Sequence, residues 1–175
     1  MLIDEFLPEF DFEERHSVTM AGSADRVSQV LKDVDLCESW VVRWLFRLRG
    51  LPTSRVTLAN LPMSNFETLG EVPGRELLLG LVGKFWTIGG GLRKIDRDSF
   101  CEFNEPGYAK AVWNFSVEPV RGGTQVTTET RIKCLDEQSH RNFGIYWMLI
   151  GPFSGLIRTE ILKATKRKVE AVQPR

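Results

Sequence analysis

The chain has 175 residues, of which 42% are hydrophobic and 26% charged, with 23 basic and 23 acidic side chains; this is the make-up of one globular domain able to bury a real core. A formal net charge of zero lacks the basic excess that meets phosphate, so no nucleic-acid partner is expected. The three cysteines, Cys37, Cys101 and Cys134, are odd in number and widely spaced, which excludes a disulfide framework or zinc site and predicts reduced, buried thiols in a cytoplasmic protein.

The opening "MLIDEFLPEFDFEER" has no basic leader and meets acids at once, so neither a secretory signal nor a transit peptide is expected. In "FDFEERHSVTM" the two-residue period puts Phe10, Phe12, Glu14, His16, Val18 and Met20 on one face of a strand. Two short helices follow. "ADRVSQVLKDV" has Ser23 as N-cap and an apolar stripe of Val27, Val30, Leu31 and Val34, and "ESWVVRWLFRLRG" spaces Trp40, Trp44 and Leu48 four apart before Gly50.

"TSRVTLANLP" predicts a helical turn or two capped by Thr53 or Ser54. In "FETLGEVPGRELLLGLVGKFW" a two-residue turn at Pro73-Gly74 pairs Phe66 with Leu81, Thr68 with Leu79 and Gly70 with Leu77. "TIGGGLRKID" reads as a connection holding a short strand, and "DRDSFCEFNEPG" as a helical turn with Phe100 and Phe103 on one side. A second hairpin, "YAKAVWNFSVEPVRGGTQVTTETRIKC", turns at Gly122-Gly123. That register sets Trp113 against Ile132, Phe115 against Thr130 and Val117 against Thr128, and leaves Asn114, Ser116, Glu129, Arg131 and Lys133 on the opposite, solvent side.

The C-terminal part predicts one long amphipathic helix from about Asp136 to about Val169, with Phe143, Trp147, Ile150, Ser154, Ile157 and Ile161 on its inner stripe and a kink near Pro152. Arg158, Lys163, Lys166 and Lys168 collect toward its end, where cations suit the helix dipole. The uncharged stretch from Asn142 to Ile157 falls short of the roughly 20 apolar residues of a membrane span, so no transmembrane segment is expected.

This order, with "GRELLLGLVGKFW", "EPGYAKAVWNFSVEP", "TQVTTETRIKC" and "YWMLIGPFSGLIRTEIL", resembles the START-like (SRPBCC, polyketide cyclase/dehydrase-like) superfamily, and more narrowly a group of uncharacterised bacterial members. The resemblance runs from about Phe10 to about Val169, a single domain within 1–175. It implies an α+β helix-grip fold, in which a curved antiparallel sheet wraps around the long C-terminal helix and two short helices follow the first strand. It also implies a cavity between sheet and helix that holds a small hydrophobic ligand: a lipid, a polyketide or an isoprenoid-like molecule.

The residues placed to line such a cavity are His16, Phe85, Trp86, Trp113, Phe115, Thr128, Thr130, Tyr146, Trp147 and Ile150. The aromatics either line a pocket or fill a core. Thr128 and Thr130 are either polar handles in an apolar wall or threonines in the strand they favour. His16 and Glu14, two apart on one strand face, are the weak candidates for catalysis, able to form an acid/base pair or a structural hydrogen bond. His140, at the polar start of the long helix, reads as solvated, and Glu129 with Arg131 as an exposed ion-pair ladder.

Other motifs fail. "GPFSGL" lacks the G-x-S-x-G spacing, "IGGGLRK" lacks the Walker spacing, and no His, Cys or carboxylate cluster points to a metal, so neither metal nor cofactor is expected. Three functions compete: a carrier or sensor of a hydrophobic ligand, a cyclase/dehydratase-type enzyme using His16 and Glu14, and a peripheral membrane or partner-binding module built on the apolar helix, its basic run "KATKRK" and the exposed-looking Trp40 and Trp44.

Overall fold

A computed structural model describes residues 1–48, 56–60, 66–87 and 89–171. The elements in order are α1 (Leu2–Phe6), β1 (Phe12–Met20), α2 (Ala24–Asp33), a 3-10 turn (Leu36–Glu38), α3 (Trp40–Leu48), β2 (Glu67–Val72), β3 (Glu76–Gly83), α4 (Arg97–Glu102), β4 (Ala109–Val120), β5 (Gly123–Cys134) and α5 (Glu137–Ala171). The protein is therefore α+β, with an open five-stranded antiparallel sheet in the order β1-β5-β4-β3-β2 and a long C-terminal helix. Among the described residues no helix is long and apolar enough to cross a membrane.

The helix α5 packs on β1 and β5 and against α2 and α3. Asp136 starts it: its carboxylate accepts from the backbone N–H of Ser139 at 2.9 Å and of Gly107, so one side chain caps the helix and ties it to the loop before β4. These bonds, first that from Gly107 and then those from Ser139, hold its pKa down at about 2. The helix continues through Pro152, which has no N–H to give to the preceding turn.

Between α5, α2 and the sheet lies the main core, with Met20, Val27, Leu31, Leu79, Phe115, Val126, Ile161 and Val169 among its members. The alternation of burial along β1 follows from its two-residue period, with even-numbered residues facing α5.

The opposite face of the sheet is covered too. Helix α1 and the Leu7 that ends it bury Ile3 and Leu7 with Leu69, Leu78, Val82, Phe100 and Val112. This overturns the expected solvent-exposed ladder: Glu129 is 3% exposed, and Arg131 binds it at 2.7 Å, binds Asp4 of α1 at 2.9 Å and donates to the Leu7 carbonyl at 3.2 Å. Polar side chains that parity turns outward do point away from α5, but a second layer closes over them.

Both hairpins depart from the expected turns. In the first, Val72 pairs with Glu76 across a three-residue loop, and a bulge between Thr68 and Gly70 restores the expected pair Thr68 with Leu79 while Gly70 faces Leu78. In the second, Val120 pairs with Gly123, so Arg121-Gly122 forms the turn and every partner moves by two: Trp113 faces Thr130, Phe115 faces Thr128, and Val117 faces Val126. Gly122 supplies the positive φ of 93° that the turn needs. Gly123 is a glycine for another reason, since a Cβ there would collide with the Met20 carbonyl oxygen of β1. The slip is even, so each side chain keeps its face.

Smaller expectations resolve similarly. Ser23 precedes α2 but makes no side-chain capping bond. Helix α4 is capped by a reciprocal Asp96/Ser99 box. Arg93 bridges to Val82 as the short strand in "TIGGGLRKID". Residues 58–60 form a turn, while Thr53, Ser54 and Gly50 lie outside the described residues. Cys37 and Cys134 are buried, but Cys101 is exposed, because α4 turns Phe100 inward and its neighbour outward.

Candidate functional site

Two rows of side chains cross the inner face of the sheet. Register aligns Trp113, Thr130 and Glu14 on β4, β5 and β1, and beside them Phe115, Thr128 and His16. Helix α5 lies above, and its four-residue spacing turns Ser154 and Arg158 toward these rows. Arg158 is the centre of the contact. Its Nη1 lies 3.0 Å from Glu14 Oε2 and also donates to Ser154 Oγ, while Nε and Nη2 donate to Thr130 Oγ1 at 3.1 and 2.6 Å. The guanidinium carbon stands 5.5 Å from the Trp113 ring.

The other oxygen of Glu14 meets His16. Nε2 of His16 is 2.9 Å from Glu14 Oε1, and because a carboxylate only accepts, the hydrogen of this bond sits on Nε2. Gly155 makes the arrangement possible: a Cβ there would collide with Glu14 Oε1 and stand 3.3 Å from His16 Nε2, so only glycine lets the strand's polar pair press against the helix. Trp113 Nε1 donates to Thr128 Oγ1 at 2.6 Å, which satisfies an indole that would otherwise be stranded in the core.

Accessibility rises along the cluster, with side chains 8% exposed at Arg158, 18% at Glu14 and 32% at His16. Burial pushes Arg158 down to about 10, opposed by the charge of Glu14, so it stays cationic near neutral pH. A buried cation joined to a carboxylate, two hydroxyls and an aromatic face is well satisfied, but it stabilises a fold less than an apolar plug of equal size could.

A second group gathers toward the start of α5. Phe143, 1% exposed, is surrounded by Phe12, Phe85, Trp86, Tyr146 and Trp147 with ring centroids 4.9 to 6.4 Å from its own. All but Phe143 are partly buried. The exposed His140 packs at a tilt against Phe12, ring centroids 5.2 Å apart.

The structure thus splits the expected lining into three. Glu14, His16, Thr128, Thr130 and Trp113 meet in the polar cluster. Phe85, Trp86, Tyr146 and Trp147 form the aromatic group, and Ile150 is half-buried on α5 between the two in sequence. Phe115, 1% exposed, packs at a tilt against Trp113 with ring centroids 4.8 Å apart but belongs to the main core, where it borders a crevice of only about 10 Å³, one water's worth, with Ser28, Leu31 and Leu77. An open hollow is bounded by Asp11, Cys134, Asp136, Glu137, His140 and Arg141. Among the described residues no three His, Cys, Asp or Glu side chains are placed to hold a metal ion.

Arg158 and Gly155 are the residues that sequence reasoning misses. Position along the helix groups Arg158 with the lysines of the basic end, yet it is 6% exposed. A signal for it exists: it stands four residues after Ser154 on the inner stripe, and parity turns a carboxylate inward at Glu14.

No known family model matches the chain, and no curated protein matches it. The chain is similar to a solved structure, TTHA0849 from Thermus thermophilus, over 93% of this chain and 100% of that one, at 12% identity and a TM-score of 0.41. Likeness at that level carries no argument about this protein.

Proposed function

We propose that the chain is a START-like binding protein of the helix-grip kind, which holds a small hydrophobic ligand between the inner face of its sheet and α5. Lipid, polyketide and isoprenoid-like molecules are the ligand classes in view. The observation that carries the reading is the Arg158–Glu14–His16 cluster with Thr130: a set of polar and ionisable groups, graded from buried to accessible, set in an apolar sheet-helix interface beside partly buried aromatics. Apolar walls with a few convergent polar groups are how small-molecule sites obtain both affinity and orientation.

The test is a titration with an environment-sensitive apolar dye such as anilinonaphthalene sulfonate, on the wild type, Trp113→Ala and Thr128→Met, with urea unfolding followed in parallel. The reading expects dye affinity to fall by about tenfold, the equivalent of roughly 1.4 kcal/mol, in excess of any change shared with stability. Lost stability with unchanged affinity contradicts it.

A cyclase/dehydratase-type activity is the second reading, favoured by the 2.9 Å contact of His16 with Glu14, whose far oxygen Arg158 anchors. Such a dyad could move a proton at the accessible His16 edge. On any substrate found to turn over, His16→Ala that kept both rate and pH profile would remove the dyad from the chemistry.

A further inference from the structure

Two helix faces turn large apolar side chains to solvent. On α3, Trp40 is 74% and Trp44 54% exposed, and the exposed Arg43 and Arg47 share their face by the three- and four-residue spacing. On α5, Ile145, Met148, Leu149, Phe153 and Leu156 are 42 to 75% exposed, again three or four apart, with exposed Pro152 among them. The two helices pack on each other. Scattered surface apolar residues are ordinary, but a stripe of five on one helix beside two exposed tryptophans on its neighbour marks a docking surface.

Charge selects the occupant. Helix α3 contains no carboxylate, and α5 has no Asp, Glu, Lys or Arg from Asn142 to Ile157. Arg43 and Arg47 make no ion pair among the described residues. The lysines of "KATKRK", by contrast, are engaged: Lys163 with Glu160 at 3.5 Å, Lys166 with Glu170 at 3.8 Å, and Lys168 with Glu38. Arg43, between the tryptophans, and Arg47, one turn further on, therefore carry positive charge without a carboxylate partner among the described residues, as does the exposed Arg167 of α5. A second copy of the chain, related by a two-fold axis through this face, would bring arginines and apolar side chains with no carboxylate from either helix face to meet them. An anionic lipid surface supplies what both sets lack: an acyl region for the stripe, headgroup depth for the indoles and negative charge for the guanidinium groups.

We infer that the exposed faces of α3 and of the first half of α5 dock the protein on anionic membranes, with Arg43 and Arg47 as the electrostatic contacts and Trp40 and Trp44 as interfacial anchors. The inference stands independently of the ligand reading. The outer face of the same α5 segment that carries Phe143, Tyr146 and Trp147 inward would rest on the bilayer.

Co-sedimentation with vesicles of phosphatidylcholine, alone or mixed with phosphatidylglycerol, tests it, with sedimentation velocity of lipid-free protein alongside and circular dichroism to confirm that each variant folds. The expected result is binding to the mixed vesicles only, weakened by salt, and a roughly 30-fold loss in the Arg43→Gln/Arg47→Gln double variant, from about a fivefold contribution per arginine. Trp40→Ser/Trp44→Ser and Met148→Ser/Leu149→Ser should each abolish it, and Lys163→Gln/Lys168→Gln should leave it unchanged. Equal binding to both vesicle types, no binding by folded wild type, or a lipid-free dimer that the tryptophan substitutions dissociate would each overturn the inference, the last in favour of self-association.

Discussion

Arg158 of α5 and Glu14 of β1 lie 144 positions apart in the chain and meet at 3.0 Å, with their side chains 8% and 18% exposed. Removing one partner strands the other. Glu14→Gln should cost about 2–4 kcal/mol in urea unfolding, and Arg158→Met a similar amount. The apolar pair Glu14→Leu/Arg158→Met should cost less than the sum by at least about 1 kcal/mol, the mark of direct coupling. Strict additivity would mean that the two groups do not feel each other.

Gly155 should resist a substitution that helices normally welcome. Alanine in a helix interior gains about 1 kcal/mol over glycine, but at 155 its methyl group runs into Glu14 Oε1 and has to displace the Glu14–His16 pair. Gly155→Ala is therefore expected to lower the melting temperature. Gly144→Ala on the same helix, whose nearest neighbour would be the Phe12 ring at an ordinary 3.8 Å, should raise it. A stabilised Gly155→Ala protein would show that the contact yields freely.

Thr128→Val keeps shape and removes the acceptor of the 2.6 Å bond from Trp113 Nε1. Leaving a half-buried indole N–H without a partner should cost about 1–3 kcal/mol, against under about 1 kcal/mol if water reaches it. Unfolding of Thr128→Val in a Trp113→Phe background separates the cases, since the cost should vanish there.

The thiols should differ sharply. Burial pushes Cys134 up to about 12 and raises Cys37, whereas Cys101 stands at the surface of α4. Native protein treated with a maleimide is expected to take up one label, mapped by peptide mass to Cys101, with Cys37 and Cys134 labelled only after denaturation. Rapid native labelling at Cys37 or Cys134 would count against this packing.

Asp136 ties α5 to pH. Its carboxylate is held at about 2 in the fold against an ordinary 3.8. A depressed carboxylate stabilises the fold fully above its ordinary value, and that contribution is lost as pH falls through the folded value. The stability gap between wild type and Asp136→Asn should therefore be constant above about pH 5 and narrow between about pH 4 and 2. A gap independent of pH would show that the charge plays no part in the cap.

The sheet-helix layout is legible in the sequence because it rests on periods: the two-residue alternation holds along β1 from Phe12 to Met20, though the exposed Phe10 before it packs under Arg131 of the other face, and the inner stripe of α5 runs from buried Phe143 through half-buried side chains to buried Ile161. Turn positions are less legible. Two adjacent glycines at 122 and 123 cannot say which one makes the turn and which one clears a neighbouring strand. Helix α1 is hidden because a five-residue helix has too few positions to display a period, and without it Glu129 and Arg131 read as exposed. The polar cluster is half visible: parity faces Glu14 and His16 inward, but Arg158 carries the side chain that most often seeks water, and only the close approach allowed by Gly155 brings it to a carboxylate across the core.

Mass spectrometry of the purified protein, first native and then after denaturation and organic extraction, tests the ligand-binding account most directly. The account predicts a bound apolar molecule in stoichiometric amount, released on denaturation and diminished in Trp113→Ala. A native mass equal to that of the bare chain, with no uptake of added lipid or isoprenoid probes, would contradict it.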